Sequence, residues 1–145
     1  MNERRQFSTF FVGGLYLGVD VLHVQEVLRF QRMTRVPLVP PMVRGLINLR
    51  GQIVTAIDLR LRLGLSETGG DQPINVVVRT LDSTVSLLVD EIADVVTVSE
   101  DMLEPVPETL PPAVRALTTG IYKLKDRLLL VLAVDRTIDL TGIAA

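Results

Sequence analysis

The chain has 145 residues, a length that suits one domain or two very small units that share a core. Hydrophobic residues make up 48% and charged residues 22%, which is typical of a globular protein rather than a disordered one. No apolar run is long enough for a membrane span or a signal core, so we expect a cytoplasmic protein that does not insert into membranes. With no cysteine and one histidine, disulfides, thiolate metal sites and sites that need two imidazoles are excluded.

The net charge of −2 hides opposite charges in the two halves of the chain. Residues 1–64 carry nine arginines against four acidic residues, a balance of +5, whereas residues 65–145 carry six basic against thirteen acidic residues, a balance of −7. Such a separation favours oriented docking with protein partners over a grip on nucleic acid. The alternative is that both faces are simply solvated.

The first predicted elements form a β-hairpin. Residues 6–12 and 15–21 are rich in strand-forming side chains, and Gly13 and Gly14 between them can both adopt positive φ. Apolar side chains then recur at helical spacing over residues 21–28, which predicts a short helix or turn there.

An extended region follows from residue 46 to residue 59, interrupted at Arg50 and Gly51. Asp58 is predicted to be the N-cap of a short helix over residues 59–63, and Gly64 ends it. The polar stretch 66–73 is the predicted boundary between the two halves of the chain.

The second half again alternates strands and breaks. Strands are predicted at 74–79, 84–89 and 95–98, and four prolines between residues 104 and 112 predict an irregular crossing. Residues 117–124 and 128–134 resume the strand pattern, and residues 136–140 are expected to form a last helical turn.

The two halves are related by an internal repeat. The segment from Gly45 to Asp58 and the segment from Gly120 to Asp135 share the order glycine, aliphatic residues, a basic residue and a strand that ends in aspartate. A Val-Asp pair also recurs, at residues 19–20 and 89–90. Each unit is too small to bury a full core alone, and short strands that close into barrels remove sheet edges. We therefore expect two small β-barrels with a groove between them where a partner can lie.

No arrangement in the sequence indicates catalysis, a metal centre or a cofactor. His23 has no serine or aspartate near it in a known catalytic order, and no glycine-rich phosphate loop is present. Asp58 and Asp135 could pass for paired catalytic carboxylates, but capping is the favoured role because each follows a strand and precedes a turn. Small barrels often bind nucleic acid, yet the aromatic content of 4% offers no stacking platform among the arginines.

The most specific feature is the glycine-bounded segment from Gly45 to Gly51. Gly45 is expected to permit a close backbone approach, and Gly51 to form a turn that presents Arg50. The planar guanidinium suits carboxylates or backbone carbonyls of a partner. The equal alternative makes Arg50 an internal tie, for example to Glu26.

The sequence resembles the CheW family, the coupling proteins of bacterial chemosensory arrays, over nearly its whole length. The run Gly-Leu-Ile-Asn-Leu-Arg-Gly at 45–51 and Ile-Asp-Leu-Arg at 57–60 are highly specific for that family. Further matches lie at residues 10–20, 24–27, 34–37, 88–90, 95, 120–121 and 129–135. Thr55 and Ser86 depart from the pattern, since proline and glycine are frequent at those positions.

The resemblance implies a mainly β fold of two five-stranded SH3-like barrels packed around a shared core, with a few short helices. It implies a single CheW-like domain over 1–145, with one barrel at about 15–72 and the other at about 73–140, and it allows the N-terminal strand and the C-terminal segment to cross between them. It further implies a non-enzymatic adaptor that couples chemoreceptors to a histidine kinase. The alternative is a paralogous coupler that serves pili, gliding or another output.

The resemblance also assigns residues to partners. The groove for the receptor's cytoplasmic tip would use Glu26, Gly45, Asn48, Arg50 and Gly120. The kinase regulatory domain would dock on an edge of the first barrel. The residues expected there are Val21 and Val24. No nucleic acid, small-molecule substrate or cofactor is implied.

Overall fold

The structure, a computed structural model, describes residues 4–66 and 72–143. The predicted boundary at 66–73 therefore lies mostly outside the described residues. The described chain is mainly β, and its eleven strands are β1 (Arg4–Val12), β2 (Leu15–Asp20), β3 (Val24–Leu28), β4 (Val43–Leu49), β5 (Gln52–Asp58), β6 (Ile74–Arg79), β7 (Thr84–Val89), β8 (Glu91–Ser99), β9 (Leu103–Glu104), β10 (Thr118–Lys123) and β11 (Leu128–Leu132). Three short helices accompany them: α1 (Leu59–Arg62), α2 (Pro112–Ala116) and α3 (Val134–Ile138).

Most local predictions of secondary structure hold, but the helix or turn predicted over residues 21–28 needs correction. Gly13 and Gly14 have φ of 56° and 84°, as a tight hairpin turn requires. The helical spacing over residues 21–28 marks a single 3₁₀ turn, Val21–His23, and the rest of that segment is β3. The crossing over 104–112 leads into α2, where Pro112 occupies the first helical position and needs no N–H partner.

Each of the two sheets closes on itself. The first barrel has the strand order β3-β6-β7-β5-β4, and Thr34, which follows β3, pairs with Leu46 of β4 at the opposite edge. The second barrel has the order β8-β1-β2-β11-β10-β9, and only the turn Glu100–Met102 separates the edge strands β8 and β9. Counting β8 and β9 as one kinked strand gives five strands in each barrel, as SH3-like barrels have.

The barrels do not follow the predicted ranges 15–72 and 73–140. The first barrel uses residues 24–89, and the second uses residues 4–20 together with 91–132. The sequence repeats and the barrels therefore do not contain the same strands. Hairpin β1–β2 belongs to the first repeat but sits in the second barrel, and hairpin β6–β7 belongs to the second repeat but sits in the first.

The internal repeat itself is visible in the strand pairing. Strand β5 pairs in parallel with β7, and β11 pairs in parallel with β2, so each barrel has one parallel contact between the two repeats. The antiparallel pairs β3–β6 and β1–β8 supply the second contact in each barrel. The ladder is irregular next to Gly45 in β4 and next to Gly120 in β10, the two glycines that the repeat aligns.

Three apolar clusters form the core. One lies inside the second barrel around Phe7 and Leu129, and a smaller one lies inside the first barrel around Ile47 and Val54. The largest cluster takes side chains from both barrels, including Phe10, Leu17, Ile57, Leu87 and Ile121. Since burial of apolar area drives folding, this shared core stabilises both barrels together.

Candidate functional site

The turn between β4 and β5 presents Arg50 to solvent. Arg50 and Gly51 have φ of 50° and 90°, and the backbone N–H of Gly51 donates to Asn48 Oδ1 at 2.9 Å. Asn48 therefore shapes the turn, which places the non-glycine residue Arg50 in the sparsely populated left-handed region. The side chain of Arg50 is 71% exposed.

Glu26 on β3 accepts a hydrogen bond from Arg50 Nη2, so the two side chains form an ion pair. The Glu26 side chain is far less exposed, at 20%. The contact joins the edge strand β3 to the β4–β5 turn, as the internal-tie alternative requires. Because most of the guanidinium stays accessible, its remaining donors can still reach a partner.

Gly45 has a definite structural reason to be glycine. A Cβ atom on this residue would lie 2.6 Å from the carbonyl oxygen of Thr34 and 3.1 Å from Cβ of Met33. That approach accompanies the paired hydrogen bonds between Thr34 and Leu46, both 2.8 Å long, which close the first barrel. The close backbone approach expected at Gly45 is therefore present.

Gly120 lies apart from these residues in the fold. It is buried on β10 of the second barrel, and a Cβ atom there would meet only Leu103 Cδ1, at an ordinary 3.4 Å. The structure thus brings Glu26, Asn48 and Arg50 to one barrel, next to Gly45. None of these five predicted groove residues lines the cavity beside Arg32 and Arg44 or the cavity beside His23 and Asp135.

The two predicted kinase-binding residues sit at the start of β3. Val21 begins the 3₁₀ turn, and Val24 pairs with Val78 and packs partly against the shared core. Leu22 lies between them in the sequence, and its side chain is the more exposed of the two intervening residues, at 89%. Leu81, in the β6–β7 turn, is also fully exposed.

The sequence interpretation did not single out Leu22 or Leu81. Asp20 Oδ1 accepts from the backbone N–H of Leu22 at 2.9 Å, and His23 Nδ1 lies 3.2 Å from the carbonyl oxygen of Arg79, which ties this turn to the end of β6. The available signals were an apolar residue two positions after an aspartate cap and its place outside the apolar face at residues 21, 24, 27 and 28.

The two predicted caps have different outcomes. Asp58 is the N-cap of α1, and its Oδ1 accepts from the backbone N–H of Arg60 at 2.9 Å and more weakly from Leu61 at 3.4 Å. Its Oδ2 also pairs with Arg44 at 3.0 Å. The prediction for Asp135 is wrong, because α3 begins at Val134, two residues before the helical turn predicted at 136–140. Asp135 lies within its first turn, and Ala133 is the N-cap without a side-chain hydrogen bond.

The repeated Val-Asp pair supplies the best anchored carboxylates. Asp90 accepts two hydrogen bonds from Arg60, at 2.9 and 2.7 Å, and one from the backbone N–H of Gly13 at 2.8 Å. Burial alone would raise the pKa of Asp90, but these hydrogen bonds and the charge of Arg60 leave it below its usual value. The pKa of Asp20 is lowered in the same way, because bonds from Leu22 and Arg5 outweigh its burial.

Within residues 4–66 and 72–143, no group of three or more His, Cys, Asp and Glu side chains is placed to hold a metal ion. No helix in this part of the chain has the length and hydrophobicity of a membrane span. The ion pairs described above hold turns, helix caps and strand edges in place. On two SH3-like barrels, this arrangement is typical of a protein that binds partners through its surface.

Comparison with known proteins identifies the family of this two-barrel protein. Residues 6–141 match the CheW-like domain. The chain is 35% identical to the chemotaxis protein CheW of Bacillus subtilis over 131 residues, which are 90% of this chain and 84% of that protein. It is 34% identical to CheW of Helicobacter pylori over 134 residues, covering 92% and 81%. The chain therefore belongs to the CheW family of coupling proteins, which are scaffolds rather than enzymes.

A solved structure and one further relative add to this picture. The crystal structure of the scaffolding protein TtCheW from Thermoanaerobacter tengcongensis matches with a TM-score of 0.84 and 27% identity, covering 98% of this chain and 92% of that one. Protein PilI of Pseudomonas aeruginosa is 33% identical over 120 residues, which are 81% of this chain and 65% of PilI.

Proposed function

We propose that this protein is a non-enzymatic adaptor that couples chemoreceptor tips to a histidine kinase at the cytoplasmic face of the membrane. Membership of the CheW family supports the proposal, and the exposed Glu26–Arg50 pair supplies a surface suited to it. An ion pair on a rigid hairpin is pre-ordered before a partner arrives. Pre-ordering lowers the entropy cost of binding.

The receptor tip would contact the first barrel beside the β4–β5 turn. The Asn48–Gly51 hydrogen bond fixes the turn, and Glu26 restrains the guanidinium of Arg50. A receptor carboxylate or carbonyl would then bind the remaining donors of Arg50 without having to order a free side chain. Gly45 would support this surface by permitting the Thr34–Leu46 bridge, whereas Gly120, on the second barrel, remains a proposed groove residue without a contact to it.

The kinase regulatory domain would dock at the N-terminal end of β3 and the turn that precedes it. Val21 and Val24 remain the proposed residues, and the exposed side chain of Leu22 lies between them. Exposed apolar side chains that extend from a hydrogen-bonded turn offer the kind of anchor that dominates interface energies. Leu81 from the neighbouring turn would widen this surface.

Substitutions of Arg50 test whether the proposed receptor surface and the proposed kinase surface are independent. For Arg50→Ala we expect receptor-tip affinity to fall about ten- to a hundredfold, because a charge-assisted hydrogen bond contributes roughly 1.5–3 kcal/mol. The melting temperature should change little, since exposed ion pairs contribute about 1 kcal/mol or less. Arg50→Lys should also weaken receptor binding, because lysine cannot reproduce the planar fork. Kinase-domain affinity should be unchanged, and all three quantities are measured on each variant.

The control for this experiment is Arg115→Ala, which removes another exposed arginine far along the sequence. If Arg50→Ala instead lowers the melting temperature strongly and abolishes both affinities, Arg50 is an internal tie and the assignment of the receptor surface fails. Sequence-dependent nucleic-acid binding that persists at physiological salt would contradict the adaptor proposal as a whole.

The similarity to PilI supports a second candidate within the same class, a coupler for a non-flagellar output. The two candidates differ in their receptor. Binding of this chain to a panel of receptor tips from flagellar and non-flagellar systems distinguishes them, with Arg50→Ala as the common negative control.

A further inference from the structure

A cavity of about 690 Å³ opens on the first barrel, along the segment that joins β3 to β4 and the start of β4. Ligand pockets have volumes of about 300–1,000 Å³, so this cavity is large enough for a small molecule. Every charged side chain that lines it, among the described residues, is an arginine. We call it the arginine cavity. Its lining combines Arg32, Arg35 and Arg44 with apolar side chains that include Phe30, Val36 and Val39.

The guanidinium groups of this cavity have free donors. Among the described residues, Arg32 and Arg35 form no ion pair and no side-chain hydrogen bond, and Arg44 pairs with Asp58 through Nη1 at 3.0 Å. Residues 29–44 contain four arginines and no acidic residue, so no carboxylate of the segment itself competes for these donors. A guanidinium presents five N–H groups in one plane, and pairs of them fit the oxygens of a phosphate. Several such groups around one concave surface focus a positive potential there and attract a small anion.

The backbone that carries these arginines is held in place. Thr34 lies between Arg32 and Arg35 in the sequence, and its two hydrogen bonds with Leu46, both 2.8 Å long, fix it against β4. The side chain of Asn75 donates to the backbone carbonyl at the start of the segment at 3.2 Å. A ligand would therefore order arginine side chains on a backbone that is already fixed, which lowers the entropy cost of binding.

Phe30 gives the cavity an aromatic wall. Its side chain is 37% exposed, and it belongs to none of the three apolar clusters of the described residues. The sequence interpretation found no stacking platform among the arginines, yet the fold places this one ring at the same cavity as three guanidinium groups. A single exposed ring can stack on one flat group of a ligand, although it cannot bind a run of bases.

We propose that the arginine cavity binds a small molecule in which two or more linked phosphate groups adjoin a flat ring, the chemistry of a nucleoside diphosphate. The phosphates accept hydrogen bonds from Arg32, Arg35 and the free donors of Arg44, and the ring lies against Phe30. At least two phosphates are needed because a single one would leave part of this guanidinium cluster without a partner. The site uses none of the residues assigned to the receptor or the kinase, and it does not depend on the proposed coupling function.

Isothermal titration calorimetry of the full chain tests the site with adenosine diphosphate, pyrophosphate and orthophosphate. The buffer contains about 0.15 M salt, which screens diffuse attraction, and no divalent cation, which would neutralise the phosphates. We expect adenosine diphosphate to bind with a Kd below about 1 mM and orthophosphate to bind at least about tenfold more weakly, because it forgoes charge-assisted hydrogen bonds.

The variant Arg32→Ala/Arg35→Ala should weaken the binding of adenosine diphosphate about a hundredfold or more, since each lost charge-assisted contact accounts for about tenfold or more. The matched control is Arg4→Ala/Arg115→Ala, which removes the same charge at exposed positions that do not line the cavity. It should keep nearly the wild-type affinity. Circular dichroism melting confirms that each variant is folded.

The source of the phosphates is distinguished by the ring. Adenosine diphosphate should bind more tightly than pyrophosphate, and Phe30→Ala should weaken the binding of adenosine diphosphate alone. Equal affinities for the two ligands, with no effect of Phe30→Ala, would support linked phosphates as the ligand and contradict the role of Phe30.

Three results would overturn the site itself. The first is that neither adenosine diphosphate nor pyrophosphate binds the wild type at about 1 mM. The second is an equal loss of affinity in Arg32→Ala/Arg35→Ala and in its control, because binding then follows net charge and not this cavity. The third is loss of kinase-domain binding in Arg32→Ala/Arg35→Ala when neither ligand binds the wild type, which would make the cavity a protein contact.

Discussion

Several polar side chains of this protein bind backbone amides at the ends of strands. Asp20 binds the N–H of Leu22, Asn48 binds that of Gly51, and Asp58 binds that of Arg60. Each bond satisfies a donor that the strand or helix leaves unpaired, which is the usual role of aspartate and asparagine at turns and caps. These residues position the neighbouring exposed side chains.

Asp58 gives a direct test of this role. Asp58→Ala should reduce the free energy of unfolding by roughly 0.5–2 kcal/mol, whereas Asp58→Asn should be nearly silent because asparagine caps about as well. Asparagine loses the ion pair with Arg44. That loss should be small, because the Arg44 side chain is 43% exposed. Urea denaturation of both variants measures the difference, and Asp135→Ala is the matched control because Asp135 makes no capping bond. Loss of partner binding in a fully stable Asp58→Asn variant would show a role beyond capping.

Gly45 and Gly120 are aligned by the repeat but should respond differently to substitution. Gly45→Ala places a methyl group 2.6 Å from the Thr34 carbonyl oxygen, so the bridge that closes the first barrel must shift. We expect a loss of about 1–3 kcal/mol of stability, the usual cost of overpacking. Gly120→Ala meets only a flexible leucine at 3.4 Å and should unfold at nearly the wild-type temperature. Equal melting temperatures for the two variants would contradict this account.

Ser86 shows how one departure from the family pattern is accommodated. Its hydroxyl is buried and lies 2.7 Å from Asn75 Oδ1, to which it donates, and the Asn75 amide donates to the carbonyl oxygen of Arg29. A buried hydroxyl without such a partner would destabilise the first barrel. The side chain of Asn75 supplies the compensation.

At the scale of elements, one carboxylate connects three of them. Asp90 lies between β7 of the first barrel and β8 of the second, and it binds Arg60 of α1 and the β1–β2 turn at Gly13. The Arg60 and Asp90 side chains are mostly buried, at 18% and 25% exposure. A bidentate pair of this kind restrains both distance and orientation. It therefore holds the crossing point between the barrels.

The lowered pKa of Asp90 sets the direction of a pH effect. A group whose folded pKa lies below its unfolded value, about 3.9 for aspartate, stabilises the fold above that pH and loses its contribution as pH falls through the folded pKa. Asp90→Asn should therefore cost about 1–3 kcal/mol near pH 7 and much less near pH 2. Urea midpoints at both pH values check this. Asp126→Asn, at an exposed aspartate, should show no such difference, and an equal cost of Asp90→Asn at both pH values would exclude the ionic explanation.

At the scale of the molecule, the exchange of hairpins makes the two halves interdependent. The half that contains β1–β5 supplies β3, β4 and β5 to the first barrel and hairpin β1–β2 to the second. The other half supplies hairpin β6–β7 to the first barrel and the remaining strands to the second. Neither half can therefore close a barrel or bury the shared core alone.

Fragment complementation tests this architecture. Fragments 1–66 and 72–145, expressed separately, should each lack cooperative thermal unfolding, because both would expose the largest apolar cluster. Mixing them should restore the far-ultraviolet spectrum and a cooperative transition. Cooperative unfolding of either fragment alone would contradict the exchange. A mixture of each fragment with itself at the same total concentration is the control.

The sequence predicted much of the candidate site, and the parts it missed depend on distant contacts. The turn at Arg50 and Gly51 and the cap at Asp58 follow from residues that are adjacent in the chain, so local rules found them. The exposure of Leu22 depends on the way that the turn packs beside β6. The Asp135 prediction failed because α3 begins at Val134, two residues before the start of the helical turn predicted at 136–140. The boundaries of helices as short as α3 are sensitive to tertiary packing.

By itself, the sequence determined the mainly β fold, the tight turn at Gly13 and Gly14, the twofold repeat and the family. These properties are carried by composition, by local conformational preference and by motifs of adjacent residues. Only the tertiary structure decided which barrel each hairpin joins, that Glu26 binds Arg50, and that Asp90 meets Arg60. The physical reason is that the two repeats offer each hairpin similar sheet edges. Burial of the shared core, a property of the whole chain, selects between them.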